Sequence, residues 1–262
     1  MAPPDPPNGP VAGSPYLDDA RLAATLATEA GELLLALRER LVAQRAPRSM
    51  LKHEGDRQAH DLLVARLAEA RPHDAVLSEE GADPHARLAA ERVWIVDPLD
   101  GTNEYSEYPR TDWAVHVALV VGHVPVAGAV ALPGQGVTLS TAVPPALPAR
   151  HDGPPRMIVS RSRPPVAALV IAEAMGAELL ALGSAGAKAM AVVMGDADIY
   201  AHSGGQYEWD SCAPAAVALA AGLHASRIDG SPLRYNQSDP YLPDLLICRP
   251  ELAAEALAAL RG

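Results

Sequence analysis

The sequence predicts an α/β protein built from two unlike parts. Three observations carry that reading. Leucines near the start recur at three- and four-residue steps, β-rich runs follow one another between Gly/Pro turns in the middle, and strand-like and helix-like segments alternate after about residue 155. These patterns mean an amphipathic helix, antiparallel strands and an α/β arrangement, in that order.

From Asp18 to about Gln44 the residues Leu22, Leu26, Leu33, Leu37 and Leu41 form one apolar stripe, so a long helix is expected there. A second helix is expected from about Asp56 to Arg71, with Leu62, Leu63 and Leu67 turned inward and Pro72 ending it. "DAVLSEEG" reads as a short strand ending on Glu79 and Glu80, and "RVWIVDPLDG" as another ending on Asp97 and Asp100. Three β-rich runs between Asp112 and Thr141 then suggest antiparallel strands. The Pro-rich stretch of roughly residues 142–155 is the expected boundary. Beyond it come strand "RMIVS", a helix over 164–176, strand "AELLAL", a helix from Ser184 to Met194 and strand "DIYAH". A helix over 210–221, strand "LLICR" and a last helix "ELAAEALAAL" complete the chain. The expected organisation is a disordered Pro-rich tail over 1–16, an α+β metal-binding part over 17–150 and an α/β part over 151–262 that completes the site.

Composition excludes several classes. A net charge of −11 argues against a nucleic-acid partner, though a small phosphorylated substrate stays possible where cations invert the local field. Cys212 and Cys248 lack metal-site spacing and read as two buried thiols. No run of about 18 apolar residues appears, so no membrane span is expected. The start has neither a basic region nor an apolar core typical of a secretion signal. A cytoplasmic location is the expectation.

The acids at the element ends carry the chemistry. If the strands ending on Glu79–Glu80 and on Asp97–Asp100 are neighbours, four carboxylates meet at one sheet edge. Two unit charges about 4 Å apart repel by roughly 4 kcal/mol at an effective dielectric near 20, so such a group calls for protonation or a bound cation. Oxygen-only ligands suit hard ions such as Mg²⁺, Mn²⁺ or Ca²⁺, and a paired site suits phosphoryl displacement. Gly101 and Thr102 add close-approach N–H groups and a hydroxyl that suit a phosphate. A D-P-x-D-G-T string also makes a plain turn whose aspartates cap backbone N–H groups, and the glutamate pair on the preceding strand argues for the metal instead. Rival signatures fail: the aspartates are three apart rather than two, as an aspartyl-phosphate enzyme requires, and "LGSAGAK" matches neither G-x-x-x-x-G-K-[ST] nor G-x-S-x-G. His116 in "WAVHVAL" reads as a packed strand residue, and Asp210 as the N-cap of the helix that follows it.

"SEEG", "WIVDPLDGT" and "EWDSCAPAAVALAAG" together resemble the signature of the inositol monophosphatase superfamily, from residue 17 onward. "DPLDGTNEY", "VSRSR", "GSAGAK" and "DGSPLRYN" are similar to its 3'(2'),5'-bisphosphate nucleotidase branch. The resemblance implies a layered α-β-α-β-α sandwich and a cofactor of two or three Mg²⁺ ions, with Mn²⁺ as an alternative. Sensitivity to Li⁺ and a homodimer are implied as well. It places Glu79 on the first metal, Asp97 between two metals, the Leu99 carbonyl beside them, and Asp100 and Asp210 on the second. Asp56, acting through Thr102, would activate the attacking water together with Glu79, and Glu80 would stand behind the ligands. The substrate would contact Leu99, Asp100, Gly101, Thr102, Ser160, Arg163, Ser184, Lys188 and Asp210. Arg163 stands where the branch has histidine, and Asn103 where a lysine is usual, which removes a local positive charge.

The implied activity is in-line hydrolysis of the 3'-phosphate of 3'-phosphoadenosine 5'-phosphate to AMP and phosphate, in sulfur assimilation. Two alternatives remain open at this point: an inositol or fructose-1,6-bisphosphate phosphatase, or a catalytically silent nucleotide- or metal-binding protein.

Overall fold

The computed structural model describes residues 14–260, so the tail expected over 1–16 lies almost wholly outside it. Helix α1 (Leu17–Ala43) is followed by α2 (Arg48–Ala70), β1 (Ala75–Ser78), β2 (Arg92–Asp100) and the one-turn α3 (Thr102–Ser106). Then come β3 (Ala114–Val121), β4 (Val124–Leu132) and β5 (Val137–Ser140), followed by β6 (Arg156–Ser160) and α4 (Val166–Met175). Strand β7 (Glu178–Leu182), α5 (Ala185–Met194), β8 (Ile199–Tyr207) and α6 (Glu208–Ala220) precede β9 (His224–Ser226), β10 (Tyr241–Cys248) and α7 (Pro250–Ala259).

Two five-stranded sheets result. The N-terminal sheet runs β1-β2-β3-β4-β5, with β1 and β2 parallel and the remaining pairs antiparallel. The C-terminal sheet runs β7-β6-β8-β10-β9, parallel across its first three strands and antiparallel across the rest. The two-residue period of β2 shows how the layers stack. Trp94 and Val96 point into a core shared with α1 and α2, whereas Val93 and Ile95 point into a second core built with α5 and α6. Tyr200, Leu245 and Ile247 of the C-terminal sheet close that second core from its far side. The opposite face of the same sheet, through Ile199, Ala201, Leu246 and Cys248, packs on α4 and α7. The order is helices, sheet, helices, sheet, helices. Both cysteines are buried free thiols, and among the described residues no helix is long and apolar enough to cross a membrane.

One boundary differs from expectation in a way that matters. Helix α2 starts at Arg48, two turns before Asp56, and buries Leu51, Gly55, Ala59, Leu63 and Leu67 at four-residue steps. The polar run with a glycine, "KHEGDR", hid the early turns. Gly55 is tolerated there because it is needed: a Cβ would stand 2.8 Å from Leu99 Cδ2 and 2.9 Å from Tyr105 Cε1. Asp56 therefore projects from a helix interior rather than from its start. Helix α3 and strand β9 had no sequence signal strong enough to be expected.

Candidate active site

The parallel register of β1 with β2 sets Ser78 beside Val96, so Glu79, just past the end of β1, comes beside Asp97 within β2. The Glu79 N–H completes the ladder on the Val96 carbonyl at 3.4 Å. Asp97 is buried, and its Oδ1 accepts the Leu99 N–H at 3.0 Å, the local turn bond such a string can make. The irregularity of β2 between Asp97 and Asp100 turns the chain at Pro98-Leu99. Gly101 then adopts φ +86°, where a Cβ would collide with Ser184 Cβ at 2.9 Å.

Asp210 comes from the other sheet's side. It is the third residue of α6 rather than the N-cap: Tyr207 occupies that position, and Asp210 Oδ2 accepts the Tyr207 N–H at 2.7 Å. Asp97, Asp100 and Asp210 each present a carboxylate oxygen, all within 4.8 Å of one another, a group that could hold a metal ion. Residues 113 positions apart in sequence meet here. The donors are all hard oxygens, which fits a hard divalent cation.

The electrostatics show how crowded the acids are. Burial, then Glu79, Asp100 and Asp210, hold the Asp97 carboxyl well above the ordinary range. Glu79 is pushed up to about 7, by burial first and then by Asp210, Asp100 and Glu80. Glu79 itself keeps an exposed position at the edge of the group, and the three-carboxylate cluster is formed by Asp97, Asp100 and Asp210. Burial and Asp100 raise Asp210 to about 6, and burial and Glu80 raise Asp56 to about 6. Asp100 goes the other way: burial works against its charge, but His116, Ser184 and Lys188 outweigh it and bring it down to about 2.

That depression has a visible cause. Asp100 caps the loop that starts α5, accepting Ser184 Oγ at 2.5 Å, the Gly186 N–H at 2.5 Å and the Ala185 N–H at 3.1 Å. Ser184 holds φ +32° to do so, and its Oγ also accepts the Ala187 N–H at 3.0 Å as N-cap. Two further contacts sew the same seam: Asp112 accepts the Gly183 N–H at 2.7 Å, and Arg161 reaches Glu104 at 3.1 Å and Glu107 at 3.2 Å. Thr102 Oγ1 lies 3.2 Å from Asp56 Oδ1 and 3.1 Å from the Leu99 carbonyl.

Residues 18–145 and 154–261 match the inositol monophosphatase family. The chain belongs to that family. Among its relatives, the 3'-phosphoadenosine 5'-phosphate phosphatase of Mycobacterium leprae is 53% identical over 257 residues, 94% of each chain. The 3'(2'),5'-bisphosphate nucleotidase CysQ of Escherichia coli is 31% identical over 71% of this chain and 80% of its own. The crystal structure of CysQ from Bacteroides thetaiotaomicron superposes with a TM-score of 0.72 at 29% identity, covering 90% of this chain and 98% of that one. As a member of the inositol monophosphatase family the chain is a phosphoric monoester hydrolase, and the layered sandwich is the family's fold.

Other expected site residues of this family member are placed unevenly. Lys188 is no surface lysine: it is buried, with Nζ donating to the Gly183 and Ser184 carbonyls at 2.7 and 2.6 Å. Burial lowers its pKa against the pull of Asp100. Ser160 Oγ accepts the Arg163 N–H at 3.3 Å, while the Arg163 side chain lies exposed on the surface. The charge missing at Asn103 returns from α2, because Lys52 Nζ donates to Asn103 Oδ1 at 2.5 Å. Lys52 is one turn before Asp56 on the same face, a signal visible only once α2 is started at Arg48.

His116 is buried within β3, as expected of a packed strand residue, and it also faces the acids. It pairs across the sheet with Asp97, and its Nδ1 lies 2.9 Å from the Trp209 carbonyl and its Nε2 3.3 Å from Asp100 Oδ2. The second contact lacks hydrogen-bond geometry and is an ion pair when His116 is protonated. Burial opposes charge on His116, yet Asp100 and the Trp209 carbonyl raise its pKa.

Proposed function

We propose that the chain hydrolyses the 3'-phosphate of 3'-phosphoadenosine 5'-phosphate to AMP and phosphate with Mg²⁺ as cofactor. The observation that carries the chemistry is the crowding of Asp97, Asp100 and Asp210, three half-buried to buried carboxylates with oxygens within 4.8 Å. Like charges so placed are stable when a cation lies among them. The choice of substrate rests on the M. leprae relative at 53% identity.

In this reading Glu79, Asp97, Asp100, Asp210 and the Leu99 carbonyl would hold Mg²⁺. When bound, such ions make a water more acidic and neutralise charge on the transferring phosphate. The chain's own groups do the rest. Thr102 Oγ1, in reach of Asp56 Oδ1, orients the attacking water, and Asp56 receives its proton. A carboxyl at about 6 is better matched to that task near neutral pH than an ordinary aspartate. Gly101 and Thr102 seat the scissile phosphate at the start of α3, and Lys188 braces the Gly183–Ser184 turn that grips Asp100. Ser160, Arg163 and Ser184 border the nucleotide. A homodimer, a cytoplasmic location and a place in sulfur assimilation belong to the same reading.

A phosphate-release panel tests it. The expected outcome is Mg²⁺-dependent turnover with kcat/KM highest on 3'-phosphoadenosine 5'-phosphate, and loss of activity on chelation. A higher kcat/KM on inositol monophosphate or fructose 1,6-bisphosphate would reject the substrate, and no metal-dependent release on any of them would reject the reaction.

A further inference from the structure

The chain has few aromatic residues: three tryptophans, seven tyrosines and no phenylalanine. Trp94, Trp113, Tyr105, Tyr200 and Tyr235 are spent in the cores. Against that background Tyr207, Trp209 and Tyr241 stand together where β8 gives way to α6. The rings of Tyr207 and Trp209 lie stacked, centroids 4.9 Å apart and 9° from parallel. Tyr241, directly opposite Tyr207 on β10, meets it edge-on at 5.8 Å and 82°. These are the favoured aromatic geometries. Yet Tyr207 keeps 42% and Tyr241 43% of their surface exposed. Just before Tyr207, Gly204 and Gly205 leave open space where a Cβ would stand.

The position of the group says what it could hold. The Tyr207 N–H is bonded to Asp210 at 2.7 Å, and the Trp209 carbonyl meets His116, which faces Asp100. The rings are thus mounted on the same backbone that carries the acid cluster, with no flexible linker between them. Tyr207 stands three residues before Asp210, on the strand-to-helix turn that presents that acid.

We propose that the outward face of Tyr207, backed by Trp209 and edged by Tyr241, seats the nucleobase of the substrate by stacking. The proposal rests on the nucleotide reading given above and deepens it. Stacking recognises the presence of a base more than its identity, since every base offers a π-face. The site selects nucleoside phosphates over sugar or polyol phosphates and tolerates one base in place of another.

The test compares the wild-type chain with Tyr207→Phe and Tyr207→Leu on 3'-phosphoadenosine 5'-phosphate and on glycerol 2-phosphate, which has no ring. Tyr207→Leu is expected to lower the ratio of nucleotide to glycerol phosphate kcat/KM by about tenfold or more, chiefly through the nucleotide KM. Tyr207→Phe keeps the ring and the ratio. An unchanged ratio in Tyr207→Leu overturns the proposal, whether both activities persist or both fall together. The latter would mean that Tyr207 acts only through its backbone bond to Asp210. A failure of the nucleotide reading itself shows earlier, in a wild-type chain that does not prefer the nucleotide, and the proposal falls with it.

Discussion

Asp97 illustrates the conflict a single residue carries. It is almost fully buried, faces Asp100 and Asp210 with oxygens within 4.8 Å, and its carboxyl is held far above the ordinary range. At that distance each ionised pair costs about 3–4 kcal/mol at an effective dielectric near 20, a cost that protonation or a bound cation removes. Asp97→Asn removes the charge and keeps an Oδ1 that can accept the Leu99 N–H. The metal-free variant is therefore expected to melt a few degrees above the metal-free wild type, at roughly 2–4 °C per kcal/mol for a chain of this size. Its phosphate release should fall to background, and Mg²⁺ should add little to its melting temperature. A variant that melts lower without metal, or that keeps near-normal kcat, would show that Asp97 is not part of a cation site. The acids were legible because their chemistry is rare: two pairs of carboxylates at strand ends have few structural uses. His116 was not, since one histidine in the apolar run "WAVHVAL" reads the same whether it faces a leucine or an aspartate. The β2–β3 register sets it opposite Asp97, and the irregularity of β2 after Asp97 brings Asp100 to its Nε2.

At the scale of elements, the site depends on how closely α5 can approach β3. Gly186, in the first turn of α5, would place a Cβ 2.1 Å from His116 Nε2 and 3.0 Å from Ala114 Cβ. Its N–H is also one of the donors on Asp100. Gly186→Ala gains up to about 1 kcal/mol of helix propensity, but overpacking a rigid strand costs about 1–3 kcal/mol. The clash wins. The expected result is a melting temperature lower by a few degrees, together with a marked loss of kcat as the α5 loop withdraws from Asp100. A Gly186→Ala chain of higher stability and full activity would mean that α5 can shift freely, and the tight seam drawn between the two sheets would be wrong. Periodicity made α1, the three antiparallel strands and the later strand–helix alternation readable, because each has a long stretch in which one period dominates. The start of α2 was not readable, because there Gly55 and its polar neighbours answer to Leu99 and Tyr105 across a gap the sequence does not show. The one-turn α3 and three-residue β9 are too short to show any period.

On the scale of the whole molecule, the acid cluster joins what five layers hold apart, and folding and cation binding must share one pH dependence. Without metal, Asp56 and Asp210 sit at about 6 and Glu79 at about 7, against ordinary values of 3.8 and 4.5. Between about pH 4 and 7 the folded chain therefore binds more protons than the unfolded chain, so these groups lower its stability as pH rises through that window. Asp100, at about 2, contributes in the opposite sense: its stability is present above about pH 4 and is lost only as pH falls below that. A divalent cation replaces the retained protons, and its binding to the folded chain alone adds stability by mass action. The gain in melting temperature on adding Mg²⁺ should therefore be small near pH 5, rise most steeply between about pH 6 and 7, and level off above. Thermal melts at fixed ionic strength with and without Mg²⁺ measure it directly. A gain that is flat across this range would mean that the ion binds away from Glu79 and Asp210. A gain that survives Asp97→Asn and Asp210→Asn together would place it off the cluster altogether.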